Sequence, residues 1–232
     1  PIPPQAADDA RAAVQRLKTY QQQRFTATYA DLLQSARYGE AARFFLDDLY
    51  GPRDFAQRDA QFARIVPSLV RLFPEDVVKT VATLGRLHAL SETLDSAMAR
   101  ALLAAGHEAA LDAARYVQAW QAVGQVAQRE RQIALTIEVG HALEAYVRHP
   151  VLRGTLRMMR GPARLAGLAS LQGFLECGFD AFAGMRGAED FLATIAAREG
   201  QLAEALFAPE AIAWATSPPG TVARPARLGQ LP

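Results

Sequence analysis

The sequence is poor in the residues on which many folds and chemistries depend. Its single cysteine, Cys177, excludes an internal disulfide and a cysteine-based zinc site. That cysteine lies in an apolar segment, so we expect a buried, unreactive thiol. Valine and isoleucine are sparse, and no alternating apolar run bounded by turn residues predicts a β-strand. No stretch of about twenty uncharged apolar residues could span a bilayer, and no signal peptide heads the sequence, so we expect a cytoplasmic protein.

The sequence motifs of several large enzyme classes are missing as well. There is no Gly-x-Gly-x-x-Gly or Walker-type phosphate loop and no ordered serine–histidine–acid set, which argues against dehydrogenases, kinases and serine hydrolases. The formal net charge of +1 argues against a nucleic-acid-binding protein. These absences favour a binding or interaction protein over an enzyme.

The abundant residues are those of helices. Alanine, leucine, arginine, glutamate and glutamine dominate the composition. We therefore predict an all-α protein, a single-domain bundle of about seven or eight helices, with a globin-like arrangement as the second choice. The predicted domain covers residues 1–215. Residues 216–232 are rich in proline and glycine and carry only basic charge, so we expect a tail there.

One helical pattern is unusually long. Over residues 108–149, apolar side chains that include Tyr116 and Trp120 recur at steps of three, four and seven. A helix of about forty residues would span about 60 Å. Such a helix would be the central rod of the bundle or would leave it to meet a partner, with Gly124 and Gly140 as its two weak points.

Glycine and proline set the other predicted helix boundaries. Gly39 is expected to end the first helix as a C-cap, and Pro74, with two acids behind it, is expected to open a new one. Gly161-Pro162 is expected to stop one helix and restart another. In the helix that follows, Gly173, Gly178 and Gly184 predict the close approach of a neighbour.

A second corner at Gly51-Pro52 is surrounded by charge. Asp54 is a suitable N-cap for the helix that follows, with Gln57 completing a capping box. The charged residues around the bend are Asp47, Asp48, Arg53, Asp54, Arg58 and Asp59. We interpret them as a structural charged corner whose partners include arginines elsewhere in the chain.

Residues 44–55, with the sequence FFLDDLYGPRDF, and the Arg58-Asp59 pair that follows resemble the signature of a group of uncharacterised bacterial proteins. The resemblance implies a bacterial, cytoplasmic origin. It brings no catalytic residues and no biochemical role to this chain.

Two histidines are candidates for holding a metal or a cofactor. Glu138 and His141 have the Glu-x-x-His spacing of di-iron bundles, but such bundles need two of these motifs and the chain has one. His88 shares a helical face with Glu92 and could bind haem or another tetrapyrrole through its imidazole. Any of the four histidines could do so, and the ordinary interpretation is a hydrogen-bonded or solvated side chain. The sequence therefore requires no cofactor.

Four arginines recur at helical spacing in a stretch without acids. They are Arg153, Arg157, Arg160 and Arg164. On one helix they would suit a phosphate or a carboxylate, although ion pairs with acids such as those of the charged corner are the simpler interpretation. Gln172, Glu176 and Asp180 form a stripe of acceptors that could serve acid–base chemistry, be the solvated side of a helix, or receive the arginines.

Three functional hypotheses remain. The first is a non-enzymatic binding or interaction protein that self-associates as a homo-oligomer through the long helix around Trp120. The second is a pocket between helices for haem, another tetrapyrrole or a lipid-like small molecule. The third is an enzyme that acts through Glu176 and Asp180, or through Glu138 and His141.

Overall fold

A computed structural model describes most of the chain and confirms the all-α class. The described residues are 4–49, 60–61, 64, 75–106 and 110–232, with side chains described for all of these except residues 4–7, 48, 49 and 150. Within these ranges the secondary structure is helical and contains no β-strand. Among the same residues, no helix combines the length and the apolar character needed to cross a membrane.

The described residues form eleven α-helices, a π-helical turn and a 3₁₀ turn. Their bounds are α1 Pro4–Thr28, α2 Ala30–Gln34, α3 Gly39–Phe44, a π-helical turn Phe45–Leu49, α4 Glu75–Ala104, α5 Ala113–Val123, α6 Val126–Val147, α7 Pro150–Met158, α8 Arg160–Leu165, α9 Ala169–Met185, α10 Glu189–Phe207, α11 Pro209–Thr216 and a 3₁₀ turn Ala226–Leu228.

The buried apolar side chains form two clusters that share α1 and α10. The first cluster joins the middle of α1 to α4, α5, α11 and the C-terminal segment, and includes Leu17, Met98, Tyr116, Leu206 and Leu228. The second joins the end of α1 to α3, the π-helical turn and α9, and includes Tyr29, Phe44, Phe45, Phe182 and Phe191. Because α1 and α10 contribute to both clusters, these two helices hold the bundle together.

The prediction of one long helix over residues 108–149 is wrong. The chain breaks between α5 and α6 because Gly124 and Gln125 both have positive φ angles, 64° and 62°. Gly140, the other suspected weak point, lies inside α6 and packs directly against Leu192 of α10. Trp120 is buried in the first cluster, so the apolar face of α5 is covered by the protein itself.

The other boundary predictions have mixed outcomes. A helix does open after Pro74, since α4 begins at Glu75 with two acids in its first turn. Gly39 does not end a helix but begins α3, where a Cβ would lie 2.9 Å from the carbonyl oxygen of Leu33. Gly161-Pro162 lies within the first turn of α8, where proline is tolerated because no intrahelical N–H bond is needed there. The break falls just before it, at Met159.

The Pro/Gly-rich C-terminal segment packs against its own helices. Leu228 and Leu231 are 0% and 4% exposed and belong to the first cluster. A guanidinium nitrogen of Arg224 donates a hydrogen bond to the carbonyl oxygen of Leu231 at 2.6 Å, and the same group lies over the ring of Trp214. Apolar burial therefore holds a segment whose overall composition predicts a tail.

Candidate functional site

A cavity of about 110 Å³ lies inside the bundle among α1, α4, α5, α6 and α10. It borders both core clusters, and its apolar wall includes Phe25, Phe45, Ile195 and Leu202. A single water needs roughly 10–15 Å³, whereas a cavity of about 150 Å³ accepts benzene. The space is smaller than that of the benzene cavity and therefore suits a molecule of about four or five non-hydrogen atoms.

An ion pair between α1 and α10 forms one wall of this cavity. The Nη1 atom of Arg24 donates to the Oε1 atom of Glu199 at 2.5 Å. The hydroxyl group of Tyr29 donates to the same oxygen at 2.8 Å, and burial raises the pKa of Tyr29 so that it stays protonated. These two charges neutralise each other, and the pair needs no further ion.

A second arginine in the cavity has no such partner. Arg129 of α6 is 4% exposed, and its guanidinium carbon lies 3.9 Å from the centre of the Trp120 ring. Its Nη1 atom makes one long hydrogen bond of 3.4 Å to the side-chain oxygen of Gln132. Its Nε and Nη2 atoms have no hydrogen-bond partner among the described residues, and burial lowers the pKa of the group.

Other polar atoms around the cavity are also only partly used. Gln132 donates to the hydroxyl oxygen of Ser91 at 2.8 Å, which fixes the amide on the cavity wall. Within the described part of the chain, the indole N–H of Trp120 and the Nε atom of Arg24 lack hydrogen-bond partners. A buried donor without a partner costs about 1–3 kcal/mol. Three residues that line one cavity thus keep buried donors without acceptors among the described residues.

Asp95 of α4 supplies a carboxylate to the same cavity. It is 8% exposed and accepts a hydrogen bond of 3.0 Å from the side-chain amide of Gln21. Burial raises the pKa of Asp95, against smaller opposing effects of Gln21, Lys18 and Arg129. The cavity therefore combines a cation without a direct counter-ion, a weakly supported acid and an apolar wall.

Sequence reasoning did not identify the residues of this site. Arg24, Asp95, Arg129 and Glu199 come from four different helices. A usable signal exists in α10, where Glu199 lies four residues after Ile195 and three before Leu202, on the core-facing stripe. Asp95 likewise precedes the buried Met98 by three residues. A charge at a core-facing position of an apolar stripe is the pattern that could have indicated the site.

The predicted arginine stripe is partly engaged in surface ion pairs. Arg153 donates to Asp180 at 2.7 Å. Arg160 donates to both carboxylate oxygens of Glu176, and these hydrogen bonds lower the pKa of Glu176 to about 2. Two arginines thus meet the acceptor stripe of α9. The remaining pair, Arg157 and Arg164, are exposed and form no ion pair within the described ranges.

The predicted metal and cofactor residues lie away from the cavity. Glu138 accepts a hydrogen bond of 2.9 Å from Thr83, and His141 is exposed one turn further along α6. His88 is exposed on α4. No group of three or more histidine, cysteine, aspartate or glutamate side chains in the described residues could hold a metal ion.

The predicted charged corner lies almost wholly outside the described residues. Arg53, Asp54, Arg58 and Asp59 fall in the gap after residue 49, and the side chain of Asp48 is not described. Asp47 lies in the π-helical turn and is partly exposed. The prediction about this corner stays a prediction.

The expectation of a buried Cys177 is wrong. The thiol is exposed, because α9 turns Leu171, Gly178 and Phe182 toward the core and Cys177 away from it.

The fold and the cavity together define an all-helical protein with a charged internal cavity. The family model described as a domain of unknown function (DUF8198) matches residues 3–212, so the chain belongs to this family. No curated protein and no solved structure matches the chain.

Proposed function

We propose that this protein binds a small organic acid in the cavity, with the carboxylate of the ligand on Arg129. The observation that carries the proposal is a guanidinium group that is 4% exposed, lines a cavity and keeps two nitrogen atoms without a hydrogen-bond partner among the described residues. A carboxylate accepts two parallel hydrogen bonds from such a fork and neutralises its charge.

The charges and the apolar wall favour a monocarboxylate over phosphate. Glu199 and Asp95 both line the cavity, and their carboxyl groups would repel a dianion. Phe25, Ile195 and Leu202 offer apolar surface to the rest of the ligand. A small acid with a short apolar body satisfies both parts of the wall.

The small size of the ligand limits its affinity, and this limit determines the method of measurement. A ligand of five non-hydrogen atoms gains at most about 1.5 kcal/mol per atom, or about 7.5 kcal/mol, which corresponds to a Kd of about 3 µM. We would titrate acids of two or three carbons, namely acetate, propionate, lactate, glycine and alanine, by isothermal calorimetry. We expect at least one of them to bind saturably, and Arg129→Met to abolish that binding.

Substitutions of the two cavity arginines can be compared by their effects on the free energy of unfolding. Replacing Arg129 with methionine removes a cation–π contact worth about 0.5–2 kcal/mol but also a buried charge that costs several kcal/mol. We expect an unchanged or higher free energy of unfolding for Arg129→Met in urea. Arg24→Met leaves the partly buried carboxylate of Glu199 without its counter-ion and should lower that free energy by about 1–3 kcal/mol.

The proposal fails if no acid of the panel binds in a manner that depends on Arg129. It also fails if Arg129→Met destabilises the protein as strongly as Arg24→Met, because the arginine would then serve the fold.

Self-association remains a prediction. It depends on a continuous helix with an accessible face at Trp120, whereas α5 and α6 are separate helices and Trp120 is 8% exposed. Light scattering of the purified protein across its working concentrations tests it directly. The bacterial origin and the cytoplasmic location also stay predictions.

The tetrapyrrole hypothesis finds no specific support in the geometry. His88 and His141 are exposed and do not line the cavity. We therefore propose a small acid, and not a tetrapyrrole, as the ligand between the helices.

A further inference from the structure

We propose that the ligand is a small zwitterion, an amino acid such as glycine or alanine, whose carboxylate binds Arg129 and whose ammonium group binds Asp95. This inference rests on the proposed function and adds the chemical class of the ligand. It depends on one buried cation and one buried carboxyl group that line the same cavity.

Arg129 and Asp95 face one space without forming an ion pair. Both line the cavity, yet among the described residues no carboxylate oxygen comes within 4.0 Å of the Arg129 guanidinium. The hydrogen bond that the structure gives Asp95 comes from the amide of Gln21. Opposite charges attract strongly in a low-dielectric interior, and among the described residues neither of these two groups has an ion-pair partner.

The neighbouring pair shows the alternative arrangement. Arg24 and Glu199 line the same cavity, and the Nη1 atom of Arg24 lies 2.5 Å from the Oε1 atom of Glu199. The same oxygen accepts a hydrogen bond from the hydroxyl group of Tyr29. The cavity thus contains one ion pair in direct contact, Arg24 with Glu199, and one open pair, Arg129 and Asp95, whose charged groups form no ion pair with each other. A ligand with a positive and a negative group complements the open pair, whereas a simple acid complements only Arg129.

Asp95 accepts one hydrogen bond, from Gln21, and could also accept one from an ammonium group. Burial raises the pKa of this carboxyl group, so its charged form is costly without a nearby cation. An ammonium group would donate a hydrogen bond and supply that charge. The single hydrogen bond from Gln21 leaves acceptor capacity for it.

The size of the cavity restricts the class further. Space for about four or five non-hydrogen atoms fits glycine, has its upper limit near alanine with its one additional methyl carbon, and excludes large aromatic amino acids. The apolar wall suits a methyl side chain and gives no counter-charge to a side-chain ion.

Three ligands of similar size make the test sharp, because alanine and lactate match in their number of non-hydrogen atoms and propionate has one fewer. Alanine, lactate and propionate share the carboxylate and the three-carbon body and differ in an ammonium group, a hydroxyl group or a hydrogen. Calorimetry on the full chain should give a Kd for alanine at least tenfold lower than those for lactate and propionate, because lactate mimics the shape but not the charge.

The variant Asp95→Asn isolates the role of the carboxyl group. It keeps an acceptor for Gln21 and removes the negative charge, so the affinity for alanine should fall tenfold or more to the level of propionate. Asp76→Asn is the matched control, because Asp76 lies on the same helix, is exposed and does not line the cavity. It should leave the preference for alanine intact.

The outcomes separate this inference from the proposed function. Equal wild-type affinities for alanine and propionate, both lost in Arg129→Met, overturn the zwitterion and leave the acid-binding function standing. If no acid of the panel binds, both fall. If Asp95→Asn does not fold by circular dichroism, the comparison of the three ligands on the wild-type protein decides alone.

Discussion

At the scale of single residues, the carboxylate of Glu176 on the outer surface of α9 is fixed by hydrogen bonds. This carboxylate accepts hydrogen bonds from Arg160 and from the side-chain amide of Gln172, which also donates to the carbonyl oxygen of Leu156 at 2.6 Å. These contacts join α7, α8 and α9 at the surface. Because Arg160 is exposed and Glu176 is only partly buried, the effect of their contact is best measured as the pKa of Glu176.

We predict that Arg160→Gln raises the pKa of Glu176 from about 2 toward its ordinary value of 4.5. The main cause of the lowered pKa is the hydrogen bonding by Arg160. A lowered carboxyl pKa stabilises the fold above pH 4.5, and this contribution is lost as the pH falls from 4.5 to about 2. An NMR titration of the glutamate side-chain carboxyl carbons measures the shift.

Arg157→Gln is the control, because the charge of Arg157 acts on Glu176 without a hydrogen bond. It should move the pKa less than Arg160→Gln does. Equal shifts in the two variants would show that net charge, and not the specific contact, lowers the pKa.

At the scale of elements, α9 packs on α3 through one glycine. A Cβ at Gly178 would lie 2.7 Å from a ring carbon of Phe44, whereas a Cβ at Gly173 on the same helix would have nothing within 4 Å. The glycine at 178 therefore sets the approach of the two helices, and the one at 173 does not.

We predict opposite effects of alanine at these two positions. Gly178→Ala should lower the free energy of unfolding by about 1–3 kcal/mol, since the Phe44 ring must shift in a packed core. Gly173→Ala should raise it by up to about 1 kcal/mol through helix propensity. Urea unfolding measures both, and destabilisation by both variants would contradict this account of the packing.

Local sequence signals predicted some elements and failed for others. The helix after Pro74 could be predicted because its start depends on the proline and the acids beside it. The outcomes at Gly124 and Gly140 could not be predicted, because a glycine allows either a helix break or the close approach of a neighbour. Gly124 has a positive φ and ends a helix, whereas Gly140 packs against Leu192 inside one. The cavity residues lie on helices distant in sequence, so their meeting depends on tertiary packing that no local pattern encodes.

At the scale of the whole molecule, the C-terminal segment closes the first core cluster. Tyr20 of α1 donates a long hydrogen bond of 3.4 Å to the carbonyl oxygen of Pro232, and its ring lies 4.8 Å from that of Tyr116. Leu228 fills the space beside them with no exposed surface. The segment thus contributes to the bundle as a helix would.

We predict that Leu228→Ala lowers the free energy of unfolding by about 2–5 kcal/mol, the cost of a cavity in a packed core. Val222→Ala, in the same segment but 42% exposed, should change it by less than about 0.5 kcal/mol. Urea unfolding with matched m-values provides the comparison. A negligible effect of Leu228→Ala would show that the segment does not take part in the cooperative fold.

The contact between Arg129 and Trp120 has an optical consequence. Trp120 is one of two tryptophans, and a cation lies 3.9 Å from the centre of its ring. A fixed positive charge beside an indole shifts its emission, and an anion that neutralises the charge would shift it back. The protein therefore carries an intrinsic fluorescent reporter at the wall of its cavity, and the variant Trp214→Phe would leave Trp120 as the sole tryptophan, so that its emission could be followed without a label.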